Sequence, residues 1–127
     1  MIAGIGVDVV DLARFERALA RTPQLRSRLF ADAELTKNGK ERPLRSLGGR
    51  FAAKEALIKA LGESTGVQWH DMQVSADEHG NPSLELSGAA AAIAEARGIT
   101  RVHLSMSHDA GVAIAYVIAE TADGSRP

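Results

Sequence analysis

From Ile2 to Val10 the chain reads IAGIGVDVV. Ile5, Val7 and Val9 lie on one side of a period-two repeat, and Gly4, Gly6 and Asp8 on the other. That alternation predicts a strand, with a carboxylate on a face that two glycines leave open. At Asp11 the period changes. Leu12, Phe15 and Leu19 make the apolar stripe of a helix, with Asp11 as its cap and Pro23 closing it. Arg14, Arg17 and Arg21 fall together on another side of that helix. A short helix from Asp32 to Lys37 gives way to NGKERPLRS, which reads as a mobile basic loop.

GRFAAKEALIKALG, residues 49–62, is helical in pattern and stops at Gly62. At ~100° per residue, Ala53, Leu57, Ala60 and Leu61 form a core face, while Ala52, Glu55, Lys59 and Gly62 share the opposite stripe. Met72–Ala76 and Ser83–Leu86 flank EHGNP and predict a hairpin. Ser87 caps an alanine-rich helix ending near Gly98. Val102–Ser107 and Val112–Ala119 pair as strands around HDAG, and TADGSRP reads as a frayed tail. The order is that of an α+β fold: one domain over 1–120, a small, mostly antiparallel sheet packed with helices, and the tail 121–127.

Composition narrows the function. A chain of 127 residues with 45% hydrophobic and 24% charged positions is one globular domain with a real core. Its 15 basic residues nearly cancel 16 acidic ones, so the net charge of −1 gives no global reason to expect nucleic acid. The basic residues are nonetheless clustered: Arg14, Arg17, Arg21, Arg26, Arg28, Lys37, Lys40, Arg42, Arg45 and Arg50 suit an acidic partner. The absence of cysteine excludes disulfides, thiolate zinc sites and thiol nucleophiles. No apolar run approaches the ~20 residues of a membrane helix, and nothing resembles a signal peptide, so a cytoplasmic location is expected.

Three features carry candidate chemistry. Glu55 and Lys59 are four apart on one helix face. Such a pair is ordinarily a surface contact of ~0.2–0.5 kcal/mol, yet small residues flank this one and would let a ligand approach. Asp8 is a lone strand carboxylate, suited either to accepting hydrogen bonds from a helix end or to supplying a hard oxygen ligand. Two carboxylates without His or Cys favour Mg²⁺ over zinc, with water and phosphate completing the shell. In SMSHDAG, Ser107, His108 and Asp109 are adjacent in a strand, so they alternate faces and cannot form a proton relay.

GIGVDVVDLARF followed by RFAAKEALIKALG resembles the paired signatures of the 4′-phosphopantetheinyl transferases. The length resembles their single-domain, holo-acyl-carrier-protein synthase branch. The likeness extends to the SHD strand pair and so covers essentially the whole chain. It implies transfer of the phosphopantetheine arm of coenzyme A to a serine of an apo acyl carrier protein or carrier domain, releasing adenosine 3′,5′-bisphosphate in support of fatty acid or polyketide synthesis. By the same resemblance Asp8 and Glu55 hold Mg²⁺, Lys59 reaches the phosphates, and Gly62 lets backbone approach the ligand. Arg50, His108 and, less directly, Arg42 lie near the adenosine 3′-phosphate. Arg14, Arg17 and Arg21 dock the acidic carrier. Either Glu55 or a metal-bound water takes the serine proton, and Asp109 is left with a structural role or none. The resemblance further implies a homotrimer with coenzyme A between subunits, Asp8 and Glu55 from one and His108 or Arg50 from the next. Two other classes fit the residues alone: a docking module without chemistry, and a Mg²⁺-dependent hydrolase of nucleotide pyrophosphates.

Overall fold

Strand β1 (Ile2–Asp11) leads into helix α1 (Leu12–Arg21), and two short helices follow, α2 (Leu25–Leu29) and α3 (Asp32–Leu35). A two-residue ribbon, β2 (Thr36–Lys37) and β3 (Lys40–Glu41), precedes the long helix α4 (Leu44–Leu61). After a 3₁₀ turn at Trp69–Asp71 come the hairpin β4 (Met72–Ala76) and β5 (Pro82–Leu86), helix α5 (Gly88–Ala96), and strands β6 (Ile99–Asp109) and β7 (Val112–Thr121). The computed structural model describes residues 1–122. The expected tail therefore lies outside the described residues from 123 onward, while Thr121 still belongs to β7 and bonds Met1.

The main sheet is antiparallel throughout, in the order β1-β7-β6, so β1 and β6 are its two edges. Register sets the faces. Gly6 pairs with Val117, Asp8 with Ala115 and Val10 with Ala113, and on the far side Met106 pairs with Ala115 and His108 with Ala113. All of these share one face, and α4 lies across it. Their alternates, Ile5, Val7 and Val9 with Ile118, Tyr116 and Ile114, share the other.

The inner face is therefore the one bearing Gly4, Gly6 and Asp8, and the glycines leave room for a helix rather than for solvent. A Cβ at Gly6 would collide with the Ala56 carbonyl, and one at Gly4 with that of Ala60. Only residues without side chains let the two backbones meet this closely. Opposite them, Ala113, Ala115, Val117 and Ala119 are fully buried, so small side chains on the middle strand keep α4 close along its length. Ile5 and Val9, by contrast, are each 57% exposed.

Helix α4 is buried nearly all round, which corrects the expected split of core face and ligand stripe: Ala52, assigned to the ligand side, is wholly buried. The expected loop NGKERPLRS is also shorter than its composition suggests. Lys40–Glu41 is paired with Thr36–Lys37, and the helix already begins at Leu44, with Pro43 in the extended conformation before it. The sequence pattern does not signal α2, and the expected helix at Asp32 ends at Leu35. Asp11 caps α1 as expected, its Oδ1 accepting from Arg14 N at 2.9 Å, whereas the Ser87 side chain makes no capping bond.

Candidate functional site: a carboxylate pair and a separate guanidinium cleft

Strand β1 and helix α4 bring Asp8, Glu55 and Lys59 together at one edge of the sheet. Lys59 Nζ donates to Asp8 Oδ1 at 3.1 Å and to the Val7 carbonyl at 2.9 Å. Glu55, one turn earlier on α4, is half-buried. Its pKa is raised, first by burial and then by the negative charge of Asp8, with the Lys59 ammonium opposing. Two carboxylates thus repel each other while one lysine, itself half-exposed, is their shared counter-charge. A divalent cation fits that surplus. Among the described residues no group of three or more His, Asp or Glu is placed to cage a metal. A cation here would take two protein oxygens and fill its shell from water or substrate, as Mg²⁺ does.

Gly62 closes α4 in the left-handed conformation, φ +82°, and its N–H caps the Ile58 carbonyl. The helix cap alone therefore requires glycine at this position.

Arg42, Arg50 and His108 meet at the opposite side of α4, against the β6 edge. They line a cleft of about 310 Å³ with Lys37, Arg45 and Ser46. Arg50 is only 5% exposed and donates through Nη1 to Ser46 Oγ at 2.7 Å. The Nε atoms of Arg42 and Arg50 are both buried and lack a hydrogen-bond partner. Burial, and next the charge of Arg42, lower the pKa of Arg50, while Glu34 opposes them. Facing guanidiniums with unused donors match an anion, because each buried donor left unpaired costs about 1–3 kcal/mol. Lys37 and Arg45 join this cleft without having been singled out from the sequence; their place in the basic run was the available signal.

Ser107 and His108 point to opposite faces, as strand geometry demands, so no relay forms. The carboxylate of Asp109 accepts from Ala110 N at 2.8 Å in the turn, where Ala110 and Gly111 have φ of 50° and 80°. Arg14, Arg17 and Arg21 are all exposed on α1. Arg14 also lines an apolar hollow of about 240 Å³ with Asp8, Phe15, Ala18 and Phe51, so the start of the arginine face adjoins Asp8.

Spacing did not reveal the most deeply buried charges. Lys54, beside Glu55 in sequence, is fully buried and donates to Glu34 Oε1 at 2.7 Å, Leu29 O at 2.6 Å and Trp69 O at 3.3 Å. Glu34 in turn accepts from Ala31 N at 3.0 Å and Val74 N at 2.9 Å. The pair fastens α3, the 3₁₀ turn and β4 to α4.

Taken together, these groups make a protein equipped for a polyphosphate ester: hard oxygens and a lysine at one edge, guanidiniums at the other. Comparison with known proteins agrees. The sequence pattern of the 4′-phosphopantetheinyl transferase superfamily matches residues 4–117. The chain is 61% identical over 120 residues to the holo-[acyl-carrier-protein] synthase of Clavibacter michiganensis subsp. michiganensis, covering 94% of this chain and 97% of that protein. Its fold matches the crystal structure of holo-[acyl-carrier-protein] synthase from Neisseria meningitidis, with TM-score 0.86, 35% identity and coverage of 95% and 100%. It also matches the Helicobacter pylori holo-[acyl-carrier-protein] synthase in complex with coenzyme A, with TM-score 0.77, 31% identity and coverage of 91% and 99%. The chain belongs to the 4′-phosphopantetheinyl transferase superfamily, as its two motifs led us to expect.

Proposed function

We propose that this protein is a Mg²⁺-dependent transferase that moves 4′-phosphopantetheine from coenzyme A to a serine of an apo acyl carrier protein, in the cytoplasm and in support of fatty acid or polyketide synthesis. The observation that carries the reading is the Asp8, Glu55 and Lys59 cluster joined to the arginine face of α1, so that a docked acidic partner would present its serine beside paired carboxylates. Serine Oγ attacks the phosphorus of the phosphopantetheine arm. The bond from that phosphorus to the bridging pyrophosphate oxygen breaks, and adenosine 3′,5′-bisphosphate leaves. Glu55 would take the serine proton. Mg²⁺ held by Asp8 and Glu55 would neutralise charge on the two phosphates. Lys59 turns from Asp8 to the same phosphates, Gly62 lets backbone come close to them, and Arg50, Arg42 and His108 take the 3′-phosphate.

A homotrimer is part of this reading. The two halves of the site lie at opposite edges of one sheet, and a head-to-tail ring would set the β1 edge of one subunit against the β6 edge of the next. The exposed Ile5, Val7, Val9 and Tyr116 supply an apolar face for such contact. At a coenzyme A concentration too low to support His108→Ala alone, mixing Asp8→Ala subunits with His108→Ala subunits should then raise activity above that of either; a mixture no more active than its parts would argue against shared sites.

The deciding experiment incubates the protein with coenzyme A, Mg²⁺ and candidate apo carriers and weighs the intact carrier. A mass gain of one phosphopantetheine group is expected. Cleavage of coenzyme A with no gain on any carrier would establish a hydrolase instead.

A further inference from the structure

The contact that sets Asp8 relative to Glu55 is smooth. Gly4 and Gly6 lie flat against α4 backbone carbonyls, and the neighbouring strand offers mostly alanine. Burial holds such faces together, but with few side chains seated between side chains it resists sliding along the strand weakly. Directed bonds across this contact therefore add to the β1–β7 ladder in fixing the register.

Two residues supply them. Lys59 ties α4 to Val7 and Asp8. Arg97, the residue that ends α5, does the same one turn further on. Its Nη1 donates to the carbonyls of Ala60 and Leu61, which the end of α4 leaves without helical partners, and its Nη2 donates to Ala3 O at 2.9 Å. Ala3 is the extra residue where the β1–β7 register shifts between Ile2 and Gly4. One planar guanidinium thus bonds both elements at once, a geometry that a lysine ammonium reproduces poorly.

We infer that Arg97 is a positioning residue for the metal site: it holds β1 and α4 in register, and with them Asp8 and Glu55, once Lys59 turns to substrate phosphate. The inference rests on the metal reading proposed above. Lys59 and Arg97 both bond β1 to α4 in the free protein, and Arg97 is the one that keeps doing so when coenzyme A is bound.

The test measures Mn²⁺ binding by electron paramagnetic resonance on the intact protein, with and without coenzyme A. Arg97→Gln should weaken Mn²⁺ roughly ten-fold with coenzyme A present, the low end for a residue that supports a metal ligand, and clearly less without it. Arg97→Lys should recover part of the loss. Leu84→Ala, in β5 and away from the β1–α4 contact, serves as a control for lost stability and should leave Mn²⁺ binding unchanged. If wild type binds Mn²⁺ and Arg97→Gln binds it equally well with coenzyme A, or no worse than Leu84→Ala, the inference is overturned and the metal reading stands. If wild type binds no Mn²⁺ under either condition, the metal reading fails and takes the inference with it.

Discussion

Lys59 Nζ rests 3.1 Å from Asp8 Oδ1, so the lysine expected to meet phosphate is instead paired with a carboxylate expected to meet metal. On the function proposed above, a cation held by Asp8 would leave the ammonium free for the pyrophosphate. Lys59→Met should leave Mn²⁺ binding in the free protein unchanged or tighter, because a competing cation is gone. Turnover should fall about 10²–10³-fold, the usual effect of deleting one preorganised donor to developing charge. A variant that loses Mn²⁺ binding and turnover in equal measure would assign Lys59 to building the site instead.

The raised pKa of Glu55 has a definite sign. An acid whose pKa is raised stays protonated to higher pH, so activity that needs its ionised form should disappear as pH falls through a value above the ordinary 4.5. Raising Mg²⁺ should move that limb to lower pH, since metal and proton compete for the carboxylate. Folding disfavours the ionised form, so stability declines as pH rises from 4.5 through the raised value. Glu55→Gln should therefore abolish turnover yet melt no lower than wild type at neutral pH. Thermal unfolding followed across pH checks both signs.

Arg50→Ala and His108→Ala should weaken coenzyme A more than dephospho-coenzyme A, which lacks the 3′-phosphate. For Arg50 the expected difference is about ten-fold or more, in line with a charge-assisted hydrogen bond of about 1.5–3 kcal/mol. Titration calorimetry with both ligands decides it. Equal losses would remove these residues from the 3′-phosphate.

The exposed arginines of α1 should act through long-range attraction, which is screened over ~8 Å at physiological salt. Arg14→Glu combined with Arg21→Glu should raise KM for the carrier at low salt and flatten its salt dependence, with coenzyme A affinity little changed. An unaltered KM would place the docking face elsewhere.

Much of this molecule was legible because its motifs lie within single elements. The alternation of β1, the cap at Asp11, the stop at Gly62 and the hairpin at EHGNP are all set by neighbours in sequence. Facing is different. The alternation separates Ile5, Val7 and Val9 from Gly4, Gly6 and Asp8 without saying which side is inner, and what decides it is the approach of α4, which Gly4 and Gly6 permit but do not announce. The same limit hid the partners of Lys54 and Arg97. A lysine in a helix reads as surface, and Glu34 lies 20 residues away. Arg97 reaches back 94 residues to Ala3. Asp8, Glu55 and Lys59 were placed by resemblance, and the fold then supplied their contacts.

The Lys54–Glu34 pair bears on how sequences of this kind can change. Removing either partner alone strands a charge in the interior, typically at about 3–5 kcal/mol, whereas exchanging both for apolar residues of similar volume is often tolerated. A lineage that alters one position first passes through a chain that folds poorly. The two positions, distant in sequence, therefore constrain each other as a single unit, and Glu55, immediately after Lys54, has a neighbour that cannot change alone without cost.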